Sequence, residues 1–251
     1  MAYKLGLGPK KLHRLTLDFN DYVAADALPP PPEKAFFEYK IDPSKIQMFG
    51  NDQYGDCVFA DIAHAIMLFT AHSGKMFTPT LADILAAYGA VTGFDPATGA
   101  NDNGTSWTDA LAYWQSTGVA GHKILGWASI DPKNVLHRKL GVYLFLATHL
   151  GVQFPAIGQT QFAAGQTWDV APNDGGIEGG HAILQSGYGS AGMNVESWGK
   201  GDQKASNAWD AAYTDECYIV LTEDIIDAAS GLSYTGFDLA ALTADLAAMK
   251  Q

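Results

Sequence analysis

The hydrophobic period of this chain changes part-way along its 251 residues, and that change limits the folds open to it. After the turn-rich stretch Asn51-Asp-Gln-Tyr-Gly-Asp-Cys57, apolar residues fall at 58, 59, 62, 66 and 69, the spacing of one helix face. Cys57 therefore opens a helix. Further helices are expected over 80–92, over 107–117 after the Asn101-Asp-Asn-Gly104 turn, and over 135–151. Beyond these, short apolar runs at 152–157, 181–188, 193–198 and 217–221 are separated by glycine-rich turns, as strands are. A helical half followed by a β-rich half predicts an α+β protein of two lobes with a cleft between them.

The divisions that follow are an N-terminal arm over 1–40, a helical lobe over 41–127, a β-rich lobe over 128–230 and a C-terminal helix over 231–251. The arm ends in the proline run 29–32, which favours polyproline II and cannot enter a helix interior. It is expected to lie on the surface, with a short removable pro-segment as the alternative. The last helix is read from Leu239, Leu242, Leu246 and Met249 at helical spacing.

The formal net charge of -12 argues against a nucleic-acid surface, which needs a basic face to neutralise phosphates. The same charge disfavours anionic membranes. No apolar run is long enough to span a bilayer, and the first residues lack the apolar stretch of a signal peptide, so a cytoplasmic location is expected. Two cysteines, Cys57 and Cys217, allow one disulfide at most and exclude a disulfide-stapled scaffold. Cys217 reads as a small core residue within an apolar strand.

Cys57 reads differently. A thiol reacts as its thiolate, and a helix N-terminus together with a nearby imidazole favours that form. Among seven histidines, His181 follows Gly179-Gly180 and opens an otherwise apolar strand. It is either a base or a histidine satisfied by backbone at a strand end. Glu196, fifteen residues on between Val195 and Ser197-Trp198, would be costly to bury alone, so it is either the carboxylate that orients an imidazolium or part of an exposed strand face. No zinc, calcium or phosphate-loop pattern is present, and chemistry without a cofactor is expected.

These segments, taken in order, resemble the papain-like cysteine peptidases. The stretch 51–60 is similar to the family's nucleophile segment, Asn103-Gly104 and the helix after it to its substrate-binding segment, and 150–157 to the strand that starts its β lobe. Gly180-His181 and the strand they begin resemble the catalytic-histidine strand, and Glu196-Ser-Trp-Gly199 resembles the family's Asn-Ser-Trp-Gly. The resemblance implies a two-lobed papain fold with its site in the cleft and a thiol hydrolase acting on a peptide or protein substrate. Cys57 is then the nucleophile, His181 its base, Glu196 the orienting group and Trp198 the shield over it. Asn103, Gly104 and Gly180 line the substrate path, and the oxyanion falls to Asn51, or to Gln53 if the loop bends differently. Asn51 stands where the family has Gln, and Glu196 where it has Asn; the family's disulfides and helical prodomain are missing. Two alternatives stay open: acyl transfer of the transglutaminase kind or amide trimming on the same triad, and a silent binding module.

Overall fold

The computed structural model describes residues 2–14, 16–21 and 30–225. Among them six α-helices and one eight-stranded sheet form the α+β architecture expected. The first helix, α1 (Cys57–His72), is buried nearly all round, as its mostly apolar sequence requires. Beside it lie α2 (Leu81–Thr92) and α3 (Trp107–Ser116). Thr80 caps α2 in a reciprocal capping box with Asp83, and Ser106 caps α3 through the amide of Asp109.

The strands are β1 (Leu17–Asp18), β2 (Ala35–Phe36), β3 (Gly126–Ser129), β4 (Thr148–Pro155), β5 (Ile177–Gly189), β6 (Gly192–Ser197), β7 (Lys200–Ser206) and β8 (Thr214–Leu221). They run in the order β1-β3-β8-β4-β5-β6-β7, with β2 added to β5. Most pairs are antiparallel, and α1 packs on β5. The remaining helices are α4 (Val135–Phe145), α5 (Ala156–Ala163) and α6 (Asn207–Tyr213).

Three expectations are corrected. The segment 135–151 is not one helix: α4 stops at Leu146, which takes a left-handed φ of 68°, and residues from Thr148 onward pair in the sheet. The strand read at 152–157 therefore starts earlier and ends at Pro155, where Pro leads into α5. Part of the N-terminal arm is not on the outer surface: Leu7 is buried, while residues 9–12 are exposed. Residues 6–8 hydrogen-bond to both the helical side and the sheet, as described below. The C-terminal helix falls outside the described residues. No helix among the described residues is long and apolar enough to cross a membrane.

Candidate active site

Cys57 is the first residue of α1, where a helix presents amide groups without intrahelical partners. Its side chain is buried, and the groups acting on the sulfur are the backbone amides of Ala182 and Gly6 and the carboxyls of Asp56 and Asp61. The amides favour the thiolate. Burial outweighs them and, with the two acidic neighbours, pushes the thiol up to about 12.

His181 precedes Ala182 on β5, so the strand that touches the sulfur also carries the histidine. Its ring is fully buried and stacks on Trp198, with centroids 4.4 Å apart and planes 19° from parallel; Phe154 meets it edge-on at 5.5 Å. Nε2 lies 2.8 Å from the hydroxyl of Ser197, while Nδ1 is buried without a partner. Desolvation holds the imidazole down to about 3, so in this closed state both the thiol and the histidine are neutral.

Glu196 is not brought to His181. It registers opposite Leu184, an odd number of residues from His181, and successive side chains on a strand alternate between faces. Ser197, the next residue, reaches the histidine instead. Both carboxylate oxygens of Glu196 are buried without a hydrogen bond. Burial raises its pKa well above 4.5, and the nearby acids Glu38 and Asp61 raise it further. Burial thus favours the protonated form of Glu196.

The expected oxyanion donors are also engaged elsewhere. Asn51 is buried, and its amide donates to the carbonyl of Tyr54 at 3.3 Å and interacts with Asp56. Gln53 is exposed and bonds weakly to Asp52, 3.4 Å away. Neither is among the groups acting on the sulfur.

Asn103 is exposed, and Gly104 lies against Gly6. Gly104 has a φ of +73°, and a Cβ there would collide with the carbonyl of Gly6. The carboxylate of Asp102 fastens this wall: Oδ1 accepts from the Gly55 amide at 2.7 Å and from the Tyr88 hydroxyl at 2.9 Å, and Oδ2 lies 3.4 Å from Lys4 Nζ. The Tyr88 hydroxyl in turn accepts from the amide of Gly104 at 2.9 Å. Asp102 and Ser197 are the two site residues that sequence reasoning passed over; which residue of β6 meets His181 is set by the pairing of β6 with β5, for which the sequence carries no local signal.

The chain's own N-terminal segment fills the space over the thiol. The amide of Thr105 donates to Gly6 O at 2.9 Å, Gly8 N donates to Thr105 O at 2.8 Å, and Leu7 N donates to Gly180 O at 3.0 Å. Leu7 runs parallel to Thr105 and antiparallel to Gly180, making an extra strand between the two walls. Upstream, Tyr3 stacks on the other face of the pair formed by Trp198 and His181, 4.8 Å from the indole, and Gln159 holds its backbone through both N–H and C=O.

No protein-family model and no curated protein matches this sequence. Solved structures do match its shape. A helical layer carrying a cysteine at the head of a buried helix, set against an antiparallel sheet carrying the histidine, defines a class of α+β proteins with a cleft between the two. Within that class the chain has the papain-like fold. Xylellain, a cysteine protease from Xylella fastidiosa, superposes with a TM-score of 0.64 over 88% of this chain and 97% of its own, at 15% identity. The procathepsin B S9 of Trypanosoma congolense gives 0.61 over 88% and 87% at 12% identity. Digestive procathepsin L 3 of Tenebrio molitor gives 0.60 over 84% and 75%, also at 12%.

Proposed function

We propose that this chain is a cysteine hydrolase of peptide or amide bonds, with Cys57 as nucleophile and His181 as base. One observation carries the reading: the cysteine at the head of α1 is touched by the backbone of Ala182, next to His181 on β5, and the Nδ1 of His181 is buried without a hydrogen-bond partner. The extended backbone of residues 6–8, paired between Thr105 and Gly180, supports a peptide as the ligand class.

In this reading the S–H proton passes to Nδ1, and the thiolate attacks the substrate carbonyl. The amide N–H of Cys57 is the donor at hand for the oxyanion, since Asn51 and Gln53 are committed elsewhere. The tetrahedral adduct collapses as the imidazolium returns its proton to the leaving amine. Water, deprotonated by His181, then splits the thioester to carboxylic acid and free thiol.

The acyl-transfer alternative rested on Glu196 acting on His181 and loses that support. A silent binding module draws support from the engaged Asn51 amide. The test is labelling of Cys57 by a peptidyl epoxide in full-length Gly6→Val protein, with turnover of a peptide amide followed alongside. Labelling and turnover that both fall about 100-fold or more in His181→Ala support the hydrolase. Labelling without turnover supports the module.

A further inference from the structure

We infer that Ser197 is the positioning residue of His181: its hydroxyl oxygen accepts the Nε2–H, fixing the tautomer whose Nδ1 lone pair serves Cys57. The inference rests on the cysteine-hydrolase reading and concerns how that site keeps its histidine ready.

A neutral imidazole carries one ring proton, and its two nitrogens cannot both donate. Nδ1 is buried without an acceptor, so a proton there would be an unsatisfied donor, whereas a proton on Nε2 is satisfied by Ser197 Oγ 2.8 Å away. The second arrangement is also the reactive one. Nδ1 takes the proton of the Cys57 thiol, the sulfur becomes a thiolate, and the imidazolium keeps its Nε2–H on Ser197. Trp198 stacks on one face of the ring and Phe154 meets it edge-on, so the ring does not rotate to exchange its nitrogens without disturbing both.

The hairpin holds Ser197 itself. Ser197 pairs with Lys200, and the two residues between them, Trp198 and Gly199, have φ values of 45° and 70°. Positive φ at both central positions is the turn that matches strand twist in a tight hairpin. The stack of Tyr3, Trp198 and His181 keeps the indole, and with it the turn, in place. Glu196, on the opposite strand face and without a hydrogen bond, has no part in this. The titratable groups around the pair are Asp56 and Asp61 from α1, which act on Cys57, and Glu196 from β6, which Asp61 and Glu38 influence.

The experiment is nitrogen-15 NMR of the imidazole of His181 in the full-length protein near neutral pH, which identifies the protonated nitrogen directly and needs no activity. The expected result is an Nε2–H tautomer in the wild type, in Ser197→Thr and in Glu196→Gln, and a mixture in Ser197→Ala. In the opened Gly6→Val background, Ser197→Ala is expected to slow Cys57 alkylation about tenfold or more at neutral pH, with Ser197→Thr restoring it. An Nδ1–H tautomer in the wild type overturns the assignment without recourse to any variant. So does a Ser197→Ala spectrum unchanged from wild type, or a tautomer shift in Glu196→Gln. Failure of the hydrolase reading looks different: alkylation indifferent to His181→Ala, with the tautomer pattern intact.

Discussion

Gly6 lies so close to Gly55 that a Cβ on Gly6 would fall inside contact distance of the Gly55 carbonyl, and the same glycine backbone acts on the sulfur of Cys57. Backbone lies on both sides of that contact, so relief requires the N-terminal segment to move. Gly6→Val is therefore expected to dislodge residues 4–8 and uncover the thiol. Alkylation of Cys57 by iodoacetamide should accelerate about tenfold or more, a local opening worth about 1.4 kcal/mol or more. An unchanged rate would mean that the segment does not guard the thiol.

The pH dependence of that alkylation follows from the directions of the shifts. Burial raises the Cys57 thiol to about 12 and lowers His181 to about 3, so the closed wild type holds a neutral pair, and its thiolate forms only on the alkaline side. Admitting water weakens both shifts. The profile of Gly6→Val should accordingly move to lower pH than that of the wild type, and His181→Ala in the same background should move it back toward the value of a free thiol, about 8.5. Identical profiles with and without His181 would remove the base from the mechanism.

Sequence patterning located the parts that depend on local order. The apolar period after Cys57 is α1, whereas His181, expected to open its strand, lies inside β5, which begins at Ile177, and is buried there. Register was harder to read. Glu196 and Ser197 are neighbours in sequence, and which of them faces His181 depends on how β6 pairs with β5, a non-local property. The helix expected over 135–151 broke at Leu146 because the run from Val142 to Ala147 crosses the end of α4 just before β4 begins at Thr148, and such a run carries no period to mark the boundary. The N-terminal arm gave no periodic signal. Its placement rests on Gly6 and Gly104 approaching each other where no side chain fits, a contact made across about a hundred residues of chain.

Glu196 imposes a stability cost that pH controls. Its folded pKa is raised above the ordinary 4.5, so the folded state binds the proton more tightly than the unfolded chain does. Stability from this group is complete below that ordinary value and declines as pH rises beyond it. Glu196→Gln removes the dependence. The variant should melt higher than the wild type at pH 8, with a gain of order 1 kcal/mol, or about 2–4 °C, and show little or no gain near pH 4. Thermal melts at the two pH values decide it, and a gain larger at acid than at alkaline pH would contradict the raised pKa of Glu196.

One helical turn beyond Cys57, Asp61 Oδ1 lies 2.5 Å from His149 Nδ1, with both side chains buried and the ring edged by Trp107 and Trp114. The pair ties α1 to β4, and so helps fix the helix that carries Cys57 against the sheet that carries His181. Burial raises the pKa of Asp61 and its attraction to His149 works against that, while Oδ2 has no hydrogen bond at all. Removing the imidazole alone strands a carboxyl in an apolar setting. His149→Leu should therefore destabilise the protein by about 3–5 kcal/mol, whereas replacing both residues by leucine should recover most of the loss, because the desolvation of the pair offsets much of its attraction. Urea unfolding of the two single variants and the double variant closes the cycle. A double variant as unstable as the sum of the singles would show that the two side chains act independently, and that α1 is held to the sheet by packing alone.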